Sequence, residues 1–179
     1  MTTPTIVATG LACLDVMDDH SGYPPQLTAG GFPNALILLR IKGWNSIPVA
    51  VLGLDRAGDY LMQEFRDWEL DTRFIERRAD LYTPIYVLNH RNGGHSFGKE
   101  CPNCHTPFPP YEPVQPGTIA AIRDSLPKTV DVCYFDKVSP VALDLAALCR
   151  ERSARVMFEP NRIENDDLFR RSVAVSDIV

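Results

Sequence analysis

From Ser46 onward, short apolar runs alternate with segments of helical period. "SIPVAVLGL" precedes a helix from about Ala57 to Trp68, "VDVCYF" precedes "PVALDLAALCRERS", and "ARVMFEP" precedes "DDLFRRSVAVSDIV". The apolar runs are too short for helices, rich in β-branched and aromatic residues, and bounded by Gly, Pro or Asp, so they read as buried strands. Strands that alternate with helices pair in parallel, because each helix carries the chain back along the sheet. The sequence therefore predicts an α/β fold built of βα units. In open sheets of this kind ligands collect at the carboxyl ends of the strands. That rule gathers Asp15, the glycine segment at Gly30 and Gly31, Gly53 to Asp55 and the "EPNR" segment, Glu159 to Arg162, near one edge. A chain of 179 residues fits a single domain, 1–179. It can bury roughly 70% of its unfolded surface without a metal or disulfide staple.

The stretch "LTAGGFPNALILLRIKGW", Leu27 to Trp44, breaks this rhythm. Pro33 suits the first turn of a helix and Gly43 its end. Gly30 and Gly31 allow a ligand to approach the backbone and leave amides to meet it. The positive end of the helix points the same way. Upstream, "TIVATGLACLDVM" reads as a strand pair broken at Gly10 and carries Asp15. A carboxylate accepts from a hydroxyl, and a carboxamide such as Asn34 both donates and accepts, which is the chemistry needed to read a polyol. Plainer readings stand beside these. Asn34 is a good helix cap, Asp15 a good turn residue, and the glycines suit positive φ. Asp55 reads more naturally as a helix cap than as a ligand group, and "EPNR" also reads as a Pro-Asn turn with a surface arginine.

The net charge of -5 and pI near 5.3 argue against nucleic acid or an anionic membrane as partner. No apolar run approaches a membrane span and the N-terminus does not read as a leader, so a cytoplasmic location is expected. Of five cysteines, Cys13, Cys133 and Cys149 lie in apolar runs and read as reduced core residues. Residues 92–117 are rich in Pro and Gly and read as an irregular loop. They include "HSFGKECPNCHTPFPP", a C-x-x-C pair at Cys101 and Cys104 with His105 next and His95 nearby. Zinc held by Cys101, Cys104, His105 and His95 is one reading, although a second C-x-x-C pair is absent. A c-type haem attachment, a redox disulfide and a loop with two free thiols are the others.

"GLACLDVM", "AGGFPNALILLRIKG", "VAVLGLDRAGDYL", "WELDTRFI" and "FEPNR" stand in the order found in ribokinase-like (PfkB-type) carbohydrate kinases, which the chain resembles from about Val7 to Val179. The resemblance implies a three-layer α/β sandwich with a mostly parallel central sheet and a small β lid, whose segments lie within about 12–30 and 72–98. It implies ATP-dependent phosphorylation of a sugar or related alcohol, with Mg2+. It puts Asp15, Gly30, Gly31 and Asn34 in the sugar pocket, and Glu159, Asn161 and Arg162 near the nucleotide phosphates and metal. A homodimer joined through the lid is expected as well, the lid being the interface in the non-catalytic reading given below. Two departures matter. The family sets three residues between its glycine pair and its asparagine, whereas only Phe32 and Pro33 separate Gly31 from Asn34. The Gly-Ala-Gly-Asp segment that supplies the family's base and anion hole does not occur, so no catalytic residue is assigned. The expectation is a sugar-binding portion lacking its C-terminal nucleotide-binding part and inactive alone. The alternative is a non-catalytic sugar-binding or oligomerisation module derived from such a kinase. The residues do not name the sugar.

Overall fold

The computed structural model describes residues 3–18, 24–91, 94–160 and 166–179. Five strands form the main sheet, in the order β5 (Ile75–Arg78), β4 (Asn45–Gly53), β1 (Thr5–Thr9), β8 (Val132–Phe135), β9 (Arg155–Phe158). Every pairing in it is parallel. The central strands alternate their side chains between two cores. Val7, Ile47, Val49, Cys133 and Phe135 face one side; Ile6, Ala8, Ala50 and Leu52 face the other. This period of two, apolar on both faces, is what a parallel strand between two helical layers requires.

On the first side lie α3 (Thr118–Ile122), α4 (Pro140–Arg150) and α5 (Asp167–Val175); on the second lie α1 (Phe32–Ile41) and α2 (Arg56–Asp67). Phe135 stacks on Phe158 at 4.8 Å between ring centres, and Phe169 of α5 meets Phe158 edge-on at 5.7 Å. Ser139 caps α4 by accepting from the Ala142 amide, and Asp166 caps α5 by accepting from Phe169. No helix among the described residues is long and apolar enough to cross a membrane.

A second, four-stranded sheet runs β3 (Gln26–Gly31), β2 (Ala12–Asp18), β6 (Ile85–Arg91), β7 (Gly94–Gly98). It leaves the main sheet at Gly10, between β1 and β2. The β2–β3 and β6–β7 pairs are antiparallel and β2–β6 is parallel. Residues 26–31, largely within the segment 12–30 expected to carry the lid, form a strand that pairs along β2. Residues 94–98, which fell both in the irregular loop 92–117 and in the lid segment 72–98, complete a hairpin with β6. The strand at Ile75, expected in the small sheet, joins the main sheet beside β4.

The strand order sets where a ligand fits. From β1 the chain builds outward to β4 and β5, then returns to β1's other side to place β8 and β9. The order therefore reverses between β1 and β8. In doubly wound sheets the crevice outside such a switch point is the binding position.

Candidate functional site

Gly10 follows β1 with φ of 143°, a backbone region that favours glycine. A Cβ there would sit 1.8 Å from Oδ1 of Asp136, the residue that follows β8. Gly10 thus makes room for the Asp136 carboxylate, which accepts from the Leu11 amide at 2.8 Å. Burial pushes the Asp136 carboxyl up to about 6, against the downward pull of the Leu11 hydrogen bond and Lys137; Glu159 adds to the rise.

Gly30 does the same for Asp15. A Cβ on Gly30 would lie 2.3 Å from the Asp15 carboxyl carbon. Asp15 is 8% exposed, and burial raises its carboxyl above the usual range. The Cys13 thiol donates to Asp15 Oδ1 at 3.5 Å and opposes that rise. Burial, then the Asp15 charge, raises Cys13 in turn, so it serves as a donor and not as a thiolate.

Gly31 is the N-cap of α1, with φ of 74° and no side-chain cap bond. Its missing Cβ lets the Leu11 carbonyl approach, and the Phe32 amide donates to that carbonyl at 3.1 Å. Asn34 is therefore not a cap. It stands in the first turn of α1 and is exposed toward the space before Asp15.

These groups line one cleft of about 820 Å³, within the range of small-molecule sites. One wall is the second sheet, with Cys13, Asp15, Tyr86, Leu88 and Phe97, and Lys99 just beyond β7. The α1 side contributes Gly31, Asn34 and Ala35. The main sheet contributes Leu11, Tyr134, Asp136, Lys137, Glu159 and Pro160, all at carboxyl ends of strands. The Tyr134 hydroxyl donates to Glu159 Oε2, and burial followed by that bond raises the phenol pKa, so the proton stays on Tyr134. The result is an array of acceptors, amide and phenol donors and two ammonium groups over an apolar floor. Such an array suits a small polyhydroxylated molecule.

Of the residues expected from the sequence, Asp15, Gly31, Asn34 and Glu159 line this cleft, and Gly30 shapes it from behind Asp15. Asn161 and Arg162 lie outside the described residues. Asp55 points elsewhere. It accepts from the Gly58 amide at 2.7 Å, capping α2, and from the Thr83 amide at 2.8 Å. Cys101, Cys104 and His105 occupy a hairpin apart from the cleft lining, and His95's side chain lies outside what is described. Among the described residues no group of three or more His, Cys, Asp or Glu is placed to hold a metal. Asp136, Tyr134, Tyr86, Lys99 and Lys137 escaped the sequence reading. Asp136 ends a predicted strand, the same signal that found Glu159, and could have been found by it.

No protein-family model and no curated protein matches the sequence. Solved structures do match the fold. A fructokinase from Xylella fastidiosa with bound ATP superposes with a TM-score of 0.73 at 20% identity, over 97% of this chain and 56% of that one. An aminoimidazole riboside kinase from Salmonella enterica, complexed with aminoimidazole riboside and an ATP analog, gives 0.68 at 22% identity over 96% and 58%. An uncharacterized sugar kinase from Pyrococcus horikoshii gives 0.70 at 17% over 97% and 62%. The chain spans about 60% of the length of these structures.

Proposed function

We propose that this chain, whose fold is that of the ribokinase-like (PfkB-type) sugar kinases, carries the acceptor-binding part of an ATP-dependent kinase for a sugar or related alcohol. The observation that carries the proposal is the convergence of Asp15 from β2 and Asn34 from α1 on one cleft at the β1/β8 switch point. The acidic group takes hydroxyl protons into hydrogen bonds and Asn34 both donates and accepts. Cys13 and Gly30 fix the carboxylate's position from behind. The second sheet forms the wall that, as a lid, would close over the sugar and exclude water, and it is the proposed dimer surface.

ATP is the proposed phosphoryl donor. Two of the similar structures, the Xylella fructokinase and the Salmonella riboside kinase, hold ATP or an analog of it. A divalent cation would supply positive charge to offset that of the donor phosphates, and Glu159, at the main-sheet edge of the cleft, is the described residue that by resemblance would help hold it. Transfer also needs a base for the acceptor hydroxyl and an anion hole for the phosphoryl group. No Gly-Ala-Gly-Asp segment is present in these residues to supply them. Residues 1–179 are therefore expected to bind the acceptor and not to transfer phosphate unaided.

The test is calorimetric titration of this chain with fructose, ribose and a riboside, repeated with Asp15→Asn. The proposal expects one of these polyols to bind, and the substitution to weaken it at least tenfold. Affinity unchanged by Asp15→Asn removes Asp15 from the site and the reading with it.

A further inference from the structure

The second sheet presents the cleft with a charge that polyol binding leaves unused. Side chains alternate across a pleat. Cys13, Asp15, Tyr86, Leu88, Phe97 and Lys99 line the cleft, while Ala12, Leu14 and Ile85 pack into the core on the other side. Asp15 pairs with Tyr86, and Val87 with Gly98, which sets Lys99, just past β7, opposite Tyr86. Asp15, Tyr86 and Lys99 therefore form one row across the sheet. Two strand spacings, about 10 Å, separate its ends. The row runs from a carboxylate, through a phenol, to an ammonium. The Lys99 ammonium lies 6.0 Å from the centre of the Tyr86 ring, a cation–π arrangement that holds it along the cleft wall. Burial, then the neighbouring Cys13, Asp15 and Asp136, raises the Tyr86 phenol, so it keeps its proton and can donate.

The carboxylates around this row are engaged elsewhere. Asp15 accepts from the Cys13 thiol, Asp136 from the Leu11 amide and Glu159 from the Tyr134 hydroxyl. Glu100, next to Lys99 in the chain, has Oε1 3.6 Å from His105 Nδ1. Among the described residues Lys99 makes no ion pair. The cleft's other ammonium, Lys137, follows Asp136 directly and favours the ionised form of that carboxylate. An ammonium that faces a cleft without a counter-charge is placed to take an anionic group from the ligand. Resting on the reading of this cleft as the acceptor site, we propose that the acceptor is a sugar acid, its carboxylate held by Lys99 and the Tyr86 hydroxyl while hydroxyls at its other end meet Asp15 and Asn34. A five- or six-carbon chain with a hydrogen bond of about 3 Å at each end fills a row of this length. A carboxylate suits the row better than a phosphate does. One ammonium offsets a single negative charge, and Asp15, Asp136 and Glu159, lining the same cleft, repel a second.

The experiment is calorimetric titration of the chain with gluconate and galactonate, each beside the alditol of the same carbon skeleton, glucitol and galactitol. Acid and alditol differ only in a carboxylate against a hydroxymethyl group. At least one acid is expected to bind about tenfold or more tightly than its alditol. Lys99→Met, neutral and of similar length, should bring that acid-to-alditol ratio close to one. Asp15→Asn should weaken the binding of both. Equal wild-type affinities for acid and alditol, no binding of either acid, an acid preference that survives Lys99→Met, or tighter binding of glucose 6-phosphate than of either acid would each overturn the sugar-acid assignment. The acceptor site itself would still stand in those cases if Asp15→Asn weakens the polyols that do bind. Affinities that Asp15→Asn leaves unchanged would instead remove the acceptor site, and the sugar-acid assignment with it.

Discussion

Gly30→Ala separates a site residue from a fold residue. Gly30 sits in β3 with no positive φ, so alanine fits its backbone. What it does not fit is the Asp15 side chain, whose carboxyl carbon and Oδ2 would both lie 2.3 Å from the new Cβ. Ordinary contact begins near 3.4 Å, so the carboxylate must move by about 1 Å from its place in the cleft wall. A displacement of about that size is enough to lose a hydrogen bond to a charged group, worth about 1.5–3 kcal/mol, or roughly 10–150-fold in affinity. The fold is affected less. Overpacking costs about 1–3 kcal/mol, and the stiffer unfolded chain offsets about 0.4–1 of it. At this chain length each kcal/mol moves the melting temperature by about 2–4 °C. Calorimetric titration with the polyol that binds the wild type, beside thermal unfolding, is the assay. The expected result is an affinity loss of at least about tenfold with a melting temperature lowered by less than about 10 °C. Gly31→Ala is the contrast, because its Cβ would meet the Leu11 carbonyl at 1.9 Å at a φ of 74°, and it should unfold the chain at much lower temperature. Unchanged affinity in Gly30→Ala would refute the assignment of Asp15 to the cleft.

Asp136 makes stability depend on pH. Its carboxyl is raised from 3.8 to about 6 in the fold, so between those values the folded chain keeps a proton that the unfolded chain has released. Stability therefore falls as pH rises from about 4 to about 6, by on the order of 2–3 kcal/mol from this group. Denaturant unfolding of wild type against Asp136→Asn should show the difference shrinking at acid pH; a constant difference contradicts it. Gly10→Ala should lower stability by about 2 kcal/mol or more, since the new Cβ would meet Asp136 Oδ1 at a φ of 143°; an unaltered melting curve counts against the close approach. Asp55→Ala removes acceptors from the Gly58 and Thr83 amides and should cost about 2–4 kcal/mol by unfolding. It should leave polyol affinity alone, because Asp55 does not line the cleft; a matching loss of affinity would show coupling absent from this account.

Local chemistry made much of the fold readable. Gly10 marks the break between β1 and β2, Pro33 the first turn of α1, and Asp55 the cap of α2, each because a single residue type suits a single backbone need. Asp15, Gly31 and Asn34 could be picked out because they fall within twenty residues of one another. Asp136 could not be joined to them. It reaches Leu11 across 125 positions, and that contact exists only because β8 pairs beside β1. No local pattern encodes strand order. The same limit explains β5, whose "IERR" has the polarity of a small exposed sheet but pairs with β4 at the main sheet's edge. The bounds and pairing of β3 and β7, both within the expected lid segments, were blurred by the polar, mostly exposed first half of β3 and by glycines at β7 that signal a loop in sequence and a hairpin in space.

The most direct test is a crystal structure of the chain with the polyol that calorimetry identifies. The account predicts the molecule seated outside the β1/β8 carboxyl ends, with hydroxyls hydrogen-bonded to both the Asp15 carboxylate and the Asn34 carboxamide. A well-ordered polyol that contacts neither, or that binds elsewhere on the chain, would contradict it.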